Sequence, residues 1–285
     1  MLSRAHGRAL AALAMGIVSL TSAGVVRANP RPLPYTYIYE TLPQGEGEVE
    51  LYTDLTPLRA LNPNGNPSWY LAPQFQAEIE YGLTDRLELG LYLTVAPAQS
   101  GWSDLPNLPE GNGVKQRLRY RFADAGRWPI DLAVYGEVTE NDHEIELEGK
   151  IIFQRRVGPL RFAANAWAER EYYFRAGQTG DPPNQNGPLF GNREWVLNPA
   201  AGVVYEKWAQ AQPGLEYWMH AEHLDGGGWV IEPQHYLGPT VLLQFGKIWW
   251  SNGAYFRLNG LDTPAVGSGN PYGAFSFRTI VGINL

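Results

Sequence analysis

A chain of 285 residues with a formal net charge of −7 and no cysteine already excludes several classes of protein. An acidic chain is poorly suited to bind nucleic acid, because phosphates are bound by basic side chains. Without cysteine, the chain has neither a disulfide framework nor a cysteine-linked lipid anchor.

Residues 1–28 are the first predicted element, a secretory signal. Arg4 and Arg8 precede an apolar stretch from Ala9 to about Val26, and Val26-Arg27-Ala28 resembles a small-residue cleavage site. An uncleaved membrane anchor is the alternative. Cleavage after Ala28 removes three arginines and leaves 257 residues with 19 basic and 29 acidic side chains, a formal charge of −10.

The next stretch, residues 29–43, is rich in proline and predicts an irregular lead-in to the strands that follow. Residues 74–95, QFQAEIEYGLTDRLELGLYLTV, then alternate between apolar and polar side chains around a short Leu-Thr-Asp link. Period 2 is the signature of a strand, so this stretch predicts a β-hairpin with one apolar and one charged face. Such a hairpin fits both a soluble β-sandwich and a membrane β-barrel.

Twelve segments of the chain alternate in this way. The predicted strands span residues 47–55, 73–83, 86–96, 114–123, 129–139, 143–155, 159–173, 193–206, 214–224, 235–245, 248–258 and 273–285. Long connections rich in Gly, Pro and Asn are predicted at 56–72, 97–113, 174–192 and 259–272. Outer-membrane barrels show this pattern, with an even number of strands, short periplasmic turns and longer outer loops.

Aromatic residues gather near the predicted strand ends, as in the interfacial girdles of membrane barrels. At the outer ends these are Trp69, Tyr70, Trp102, Tyr172, Tyr173, Trp195, Trp229, Tyr236 and Tyr272. At the periplasmic ends they are Tyr81, Phe122, Trp128, Phe153, Tyr205, Trp208, Phe245 and Trp250. Aromatics packed in a soluble core are the alternative.

We therefore predict an all-β fold, a transmembrane, antiparallel, up-and-down β-barrel of about twelve strands over residues 44–285. Its predicted location is the outer membrane of a Gram-negative bacterium. Residues 29–43 then form a periplasmic lead-in with room to fold into the lumen. The last strand resembles the C-terminal recognition strand of outer-membrane proteins, although Leu285 stands where that pattern has an aromatic residue.

Charged side chains are expected to line the lumen, because Arg or Lys facing lipid at the bilayer midplane costs roughly 2–4 kcal/mol. The predicted lumen and selectivity residues are Glu78, Glu80, Arg86, Glu88, Lys115, Arg117, Arg119, Arg121, Asp131, Glu137, Glu144, Glu146, Glu148, Glu169, Glu171, Glu216, Glu222 and Arg278.

Folding the hairpins on their short links predicts which of these residues are opposite each other. The predicted pairs are Arg121–Asp131, Lys115–Glu137, Glu80–Glu88, Glu146–Glu169 and Glu144–Glu171. The last two form an acidic cluster at the outer mouth, which predicts a constriction that favours cations or a weak metal site. A solvated acidic face is the alternative. Arg119 and Arg121 are expected to neutralise the Glu80–Glu88 pair.

Catalytic, metal and cofactor motifs are not found in the sequence. His220 and Glu222 share a strand face, but His223 points the other way, so a third metal ligand is missing. Some twelve-stranded barrels are phospholipases with Ser, His and Asn, yet neither His143 nor His235 stands in a motif that positions a serine. We predict no enzyme and no cofactor, with membrane lipid and a small solute as partners.

Three stretches carry a resemblance to a known group: residues 35–55 (YTYIYETLPQGEGEVELYTDL), the hairpin at 74–95 and residues 235–250 (HYLGPTVLLQFGKIWW). Together they are similar to a loosely defined group of proteobacterial outer-membrane barrels associated with phenol degradation. The resemblance implies a barrel that passes small molecules of undefined identity. The predicted function is a narrow channel for small solutes. A closed barrel acting through its outer loops and a lipid-modifying enzyme are the alternatives.

Overall fold

The computed structural model describes residues 29–97, 101–105, 112–141, 144–174 and 190–285. Its strands are β1 (Gly47–Leu61), β2 (Pro67–Thr84), β3 (Leu87–Val95), β4 (Gly113–Arg121), β5 (Asp131–Asn141), β6 (Glu144–Val157), β7 (Leu160–Phe174), β8 (Phe190–Leu197), β9 (Ala200–Tyr205), β10 (Ala211–Leu224), β11 (Trp229–Phe245), β12 (Ile248–Arg257) and β13 (Phe275–Asn284). Within these ranges we find no helix long and apolar enough to cross a membrane. The predicted signal, His143 and much of the predicted loops 97–113 and 174–192 lie outside the described residues.

The strands pair antiparallel in chain order, and the pairing of β13 with β1 closes the sheet into a barrel. β8 and β9 share one position in the wall, because both pair with β7 on one side and with β10 on the other. Asn198 and Pro199 separate them, and proline has no N–H to donate to a ladder. The wall therefore has twelve strand positions, which confirms the predicted fold class.

The wall is inverted relative to a soluble protein, in which charges lie outside and apolar side chains inside. On β2, Glu78 is 0% and Glu80 1% exposed, whereas Ile79 between them is 56% exposed. β3 follows the same rule, with Glu88 buried and Leu91 47% exposed. Successive side chains leave a strand on opposite faces, so the charges face the enclosed lumen and the apolar band faces outward. The sandwich alternative is wrong.

The predicted long loop at 56–72 is also wrong, because β1 and β2 continue through it to a turn at residues 62–66. Pro57 favoured a loop in the sequence, and Pro73 begins the predicted strand that follows it. Both prolines lie beyond the last residues that pair with the outer neighbours β13 and β3. A proline at such an edge interrupts no ladder, so the hairpin tolerates both.

The two ends of the barrel differ in their connections. We call one the turn end; it contains the start of β1, the end of β13 and the links 85–86, 122–130, 158–159, 206–210 and 246–247. The opposite loop end has the links 62–66, 96–112, 142–143, 175–189, 225–228 and 258–274. Three of these span at least fifteen residues, so the longest connections share one end.

Exposed aromatic residues surround both ends. Those at the turn end include Tyr81, Phe122, Trp128, Phe153, Trp208, Phe245 and Trp250, and those at the loop end include Trp69, Trp195 and Trp229. Three residues predicted to lie in the girdle, Tyr70, Tyr236 and Tyr272, instead face the lumen and are buried. The Tyr236 hydroxyl finds a partner there, because it donates to the Gly273 carbonyl oxygen at 2.6 Å. The side chain of Tyr173 is outside the described part.

Leu91→Arg tests whether the exposed apolar band faces lipid. Near the bilayer midplane the substitution should lower the free energy of unfolding by roughly 2–4 kcal/mol, whereas a water-facing change is usually within about 0.5 kcal/mol. The measurement is urea unfolding of protein folded into lipid vesicles, followed by heat-modifiable gel mobility. Leu261→Arg, at a position 64% exposed in link 258–274, is the control. Equal stability of the two variants would contradict the assignment.

Candidate functional site

Residues 29–46, here called the N-terminal segment, fold inside the barrel. Leu33, Ile38 and Leu42 in this segment are at most 1% exposed. The segment begins beside the first residues of β1, rises into the lumen and returns to the turn end, where the Gln44 N–H donates to the Asp85 carboxylate at 3.0 Å. Both of its ends therefore lie at the turn end.

Side chains of the wall hold the backbone of the N-terminal segment. Five of its backbone N–H groups donate to side-chain oxygens of the wall. Tyr35 (3.0 Å) and Thr36 (2.5 Å) donate to Glu216 Oε1, Tyr37 to Asn165 Oδ1 (2.7 Å), Tyr39 to Gln154 Oε1 (3.2 Å) and Leu42 to Glu88 Oε2 (2.7 Å). These acceptors lie on β10, β7, β6 and β3. The segment is thus bound to the wall without being one of its strands, as suits a stretch with three prolines between residues 30 and 34.

Two charged side chains anchor the segment. The Arg31 guanidinium is 2% exposed, lies 3.6 Å from Glu50 Oε2 and stacks 3.9 Å from the Tyr37 ring centroid. At the turn end, the Glu40 carboxylate accepts from Arg156 at 2.5 Å and lies 3.8 Å from Arg161. Burial raises the pKa of Glu40, but Arg161 and then Arg156 outweigh it, so this pKa lies below its ordinary value.

Arg117 on β4 is the centre of a buried charge cluster in the same half of the lumen. Its guanidinium donates to Glu78 Oε1 and to Glu88 Oε1, each at 2.7 Å, and to Glu80. Arg119 donates to Glu88 Oε1 at 2.6 Å. Gly90 makes room for this arrangement, because a Cβ there would lie 2.5 Å from Arg117 Nε.

Carboxylate oxygens of Glu50, Glu78 and Glu80 lie within 4.8 Å of one another, close enough to share a metal ion. The protein's own donors already approach them. The Tyr52 hydroxyl lies 2.6 Å from Glu78 Oε2 and also contacts Glu50, while Arg117 contacts Glu78 and Glu80. We assign no metal ion to this group.

A second polar group, centred on His220, lies in the half of the lumen nearer the loop end. Its Nδ1 is 2.6 Å from Asn198 Oδ1 and its Nε2 is 2.6 Å from Glu222 Oε1. The ring stacks on Tyr272 with centroids 4.1 Å apart, and Asn198 Nδ2 donates to Glu169 at 3.3 Å. The break between β8 and β9 therefore places Asn198 beside an acidic lumen wall.

The predicted cross-strand pairs are displaced by two residues. The observed pairs are Arg121↔Ala133, Lys115↔Thr139, Arg117↔Glu137, Glu80↔Gly90, Glu148↔Glu169 and Glu146↔Glu171. Arg121 therefore does not pair with Asp131 but donates to Thr41 Oγ1 and the Asp85 carbonyl. Lys115 still reaches Glu137 diagonally at 3.6 Å. Arg117 and Arg119, instead of Arg119 and Arg121, compensate the glutamates of β2 and β3.

A shift of two residues keeps each side chain on its predicted face. The predicted lumen residues that are buried are Glu78, Glu80, Glu88, Lys115, Arg117, Arg119, Asp131, Glu137, Glu144, Glu146, Glu148 and Glu216. Those half-buried are Arg121, Glu169, Glu171, Glu222 and Arg278. Arg86 lies instead in link 85–86, where its side chain is 38% exposed and pairs with Asp124.

Sequence reasoning did not single out the tyrosines that join these charges. Tyr52 and Tyr92 occupy lumen positions within the charge cluster, at 4% and 6% exposure, and Tyr37 of the N-terminal segment lies 3.0 Å from Tyr92, hydroxyl to hydroxyl. The sequence signal that could have placed Tyr52 in the lumen is its spacing, because it follows Glu48 and Glu50 at period 2, on the face that carries charge.

Among the solved structures that are similar to this barrel are two outer-membrane proteins. One is an outer membrane channel from Pseudomonas putida F1, 15% identical over 87% of this chain and 98% of that chain, with a TM-score of 0.50. The other is the NanC porin, 10% identical over 83% of this chain and 100% of that chain, also with a TM-score of 0.50. At such identities the likeness shows the fold. No curated protein matches the sequence. A family model matches residues 28–275, so the chain belongs to the family of unknown function DUF6662.

Proposed function

We propose that this protein is an outer-membrane channel for small solutes whose lumen is closed by its own N-terminal segment. Export through a signal cleaved after Ala28 and a turn end in the periplasm are parts of the same proposal. The outward apolar band supports a membrane location. An association with phenol degradation stays a prediction.

One observation carries the channel proposal: the wall closes without the segment that fills it. β13 pairs with β1 through eight residue pairs, and the wall holds the backbone of the N-terminal segment through wall side chains such as Glu216, Asn165 and Glu88. Release of the segment would break those contacts and leave the backbone ladder of the wall intact. A pore lined by charged side chains would then connect the two ends.

The composition of the lumen favours cations. Among the described residues, thirteen Asp and Glu but only five Lys and Arg are buried. Glu146 and Glu171 face each other across β6 and β7 nearer the loop end, next to the Glu148–Glu169 pair. Rings of carboxylates select cations in other channels.

A closed structural barrel is the second candidate. It is favoured by the density of the contacts around Arg117 and Arg31, which fill the half of the lumen nearer the turn end. In that case the loop end would perform the function. The absence of enzymatic activity stays a prediction. Among the described residues, His220 forms hydrogen bonds with Asn198 and Glu222, and His235 forms one with Tyr217.

Replacing residues 31–42 by a Gly–Ser segment of equal length tests closure by the N-terminal segment. The replacement removes the Arg31 and Glu40 anchors and should convert small or absent single-channel steps in planar bilayers into larger, longer openings. Heat-modifiable gel mobility first establishes that the wall is folded. A folded replacement variant that stays silent would refute the channel and favour the closed barrel.

Substitution of the facing glutamates tests selectivity. In the open variant, Glu146→Gln and Glu171→Gln each remove a lumen charge and should shift the reversal potential in a salt gradient towards zero, because cation preference falls. Glu140→Gln, on the outward face of β5, is the matched control and should leave the potential unchanged. Equal shifts from all three substitutions would rule out the assigned lining.

Acid should loosen the N-terminal segment. Because the pKa of Glu40 is lowered in the folded protein, its ion pairs stabilise the segment at neutral pH, and this contribution is lost as pH falls through the lowered pKa. Thr36→Cys provides a reporter in a chain without cysteine, since Thr36 is 0% exposed.

Reaction of that thiol with a soluble mercury reagent is measured at each pH and divided by the rate for the urea-unfolded protein at the same pH, and this relative rate should rise at acid pH. Adding Glu40→Gln should make the relative rate high at both pH values. Reactivity that depends equally on pH with and without Glu40 would refute this role for the anchor.

A further inference from the structure

We propose that Glu48 is a binding site for the α-ammonium group that signal cleavage creates at Asn29, so that the N-terminal segment locks only in the processed chain. The inference rests on the cleavage after Ala28 that belongs to the proposed function. It assigns a partner to a buried carboxylate that the channel proposal does not use.

The geometry places the nitrogen of Asn29 at a buried acceptor. Asn29 N donates to Glu48 Oε2 at 3.3 Å, with Asn29 4% and Glu48 0% exposed. The other oxygen, Oε1, accepts from Trp249 Nε1, so the carboxylate is held in place. Asn29 Nδ2 donates to the Glu40 carbonyl oxygen at 3.2 Å, which fixes the residue from its other side. Glu48 thus directs one oxygen at the first residue of the predicted mature chain.

The surrounding charges favour a cation at that position. Five carboxylates, all at most 1% exposed, lie together on β1, β2 and β3: Glu48, Glu50, Glu78, Glu80 and Glu88. Three guanidiniums accompany them: Arg31, Arg117 and Arg119. Glu50 Oε1 and Glu80 Oε2 are buried without a hydrogen-bond partner. The cluster thus has more carboxylates than guanidiniums. Buried carboxylates are destabilising unless they are paired, so an additional cation would stabilise the cluster.

Cleavage gives the Asn29 nitrogen a positive charge, which the cluster of carboxylates favours. In the precursor it is a peptide nitrogen with one N–H and no charge. Hydrolysis of the Ala28–Asn29 peptide bond adds one water and yields the carboxylate of Ala28 and the amine of Asn29, which is protonated at neutral pH. The ammonium brings three donors and one positive charge to an oxygen that it already faces. A charge-assisted hydrogen bond of this kind is roughly twice as strong as a neutral one.

The test measures how fast the α-amine of the folded, exported protein reacts with isotope-labelled acetic anhydride, quantified by mass spectrometry of the N-terminal peptide. Only the neutral amine reacts, and Glu48 stabilises the protonated one. We expect labelling to be about tenfold faster in Glu48→Gln than in the unsubstituted protein, the change that corresponds to one pKa unit. Glu140→Gln is the control and should keep the slow rate.

Protection by burial alone would give the same slow rate in Glu48→Gln, and that result would overturn the proposal. If Glu48→Gln does not fold, the unsubstituted chain 29–285 is refolded with a free or an acetylated α-amine. A lower urea midpoint for the acetylated chain supports the site, and equal midpoints overturn it. Mass spectrometry of the mature N-terminus tests the Glu48 site independently of the channel. A mature start other than Asn29 overturns the Glu48 site, whereas the channel is tested separately by conductance.

Discussion

Carboxylates enclosed in a narrow lumen must find positive charge or hydrogen-bond donors nearby, and the rest of this structure depends on that constraint. β4 meets part of the demand through Arg117 and Arg119. The N-terminal segment meets another part through Arg31, which approaches Glu50, and through backbone N–H groups that donate to Glu88 and Glu216. The segment and the acidic wall therefore stabilise each other.

Because the strands turn charged side chains inward and apolar side chains outward, the two faces of the wall have different roles. Many outward positions carry large apolar side chains and are compatible with a nonpolar surrounding, while the buried charged side chains of the described strands lie at inward positions. Substitutions on the outer face should act on the stability of the wall, and substitutions on the inner face on what occupies the lumen. Tyrosines such as Tyr52 and Tyr92 connect the two requirements, because each buries a ring and still presents a hydroxyl to the charges.

The wall was predictable from the sequence because its signal is local: alternation at period 2 identifies strands and the face of each side chain. Pair positions were not, since a slip of two residues preserves every face, as the observed Glu146↔Glu171 pair shows. The path of the N-terminal segment left little local trace, because its partners are spread over at least six strands, including β1, β3, β4, β6, β7 and β10. One trace existed in the sequence, the glycine at position 82. A side chain there would collide with the Pro43 carbonyl oxygen of the N-terminal segment.

Both ends of the N-terminal segment lie on one side of the barrel, and this has a consequence for assembly. A segment that enters and returns through the same opening need not be threaded while the sheet closes. It can dock after the wall has inserted, approaching from a single aqueous compartment, and it can withdraw by the same route. The geometry thus allows insertion of the cylinder and occupation of its interior to be two successive events, each with its own rate.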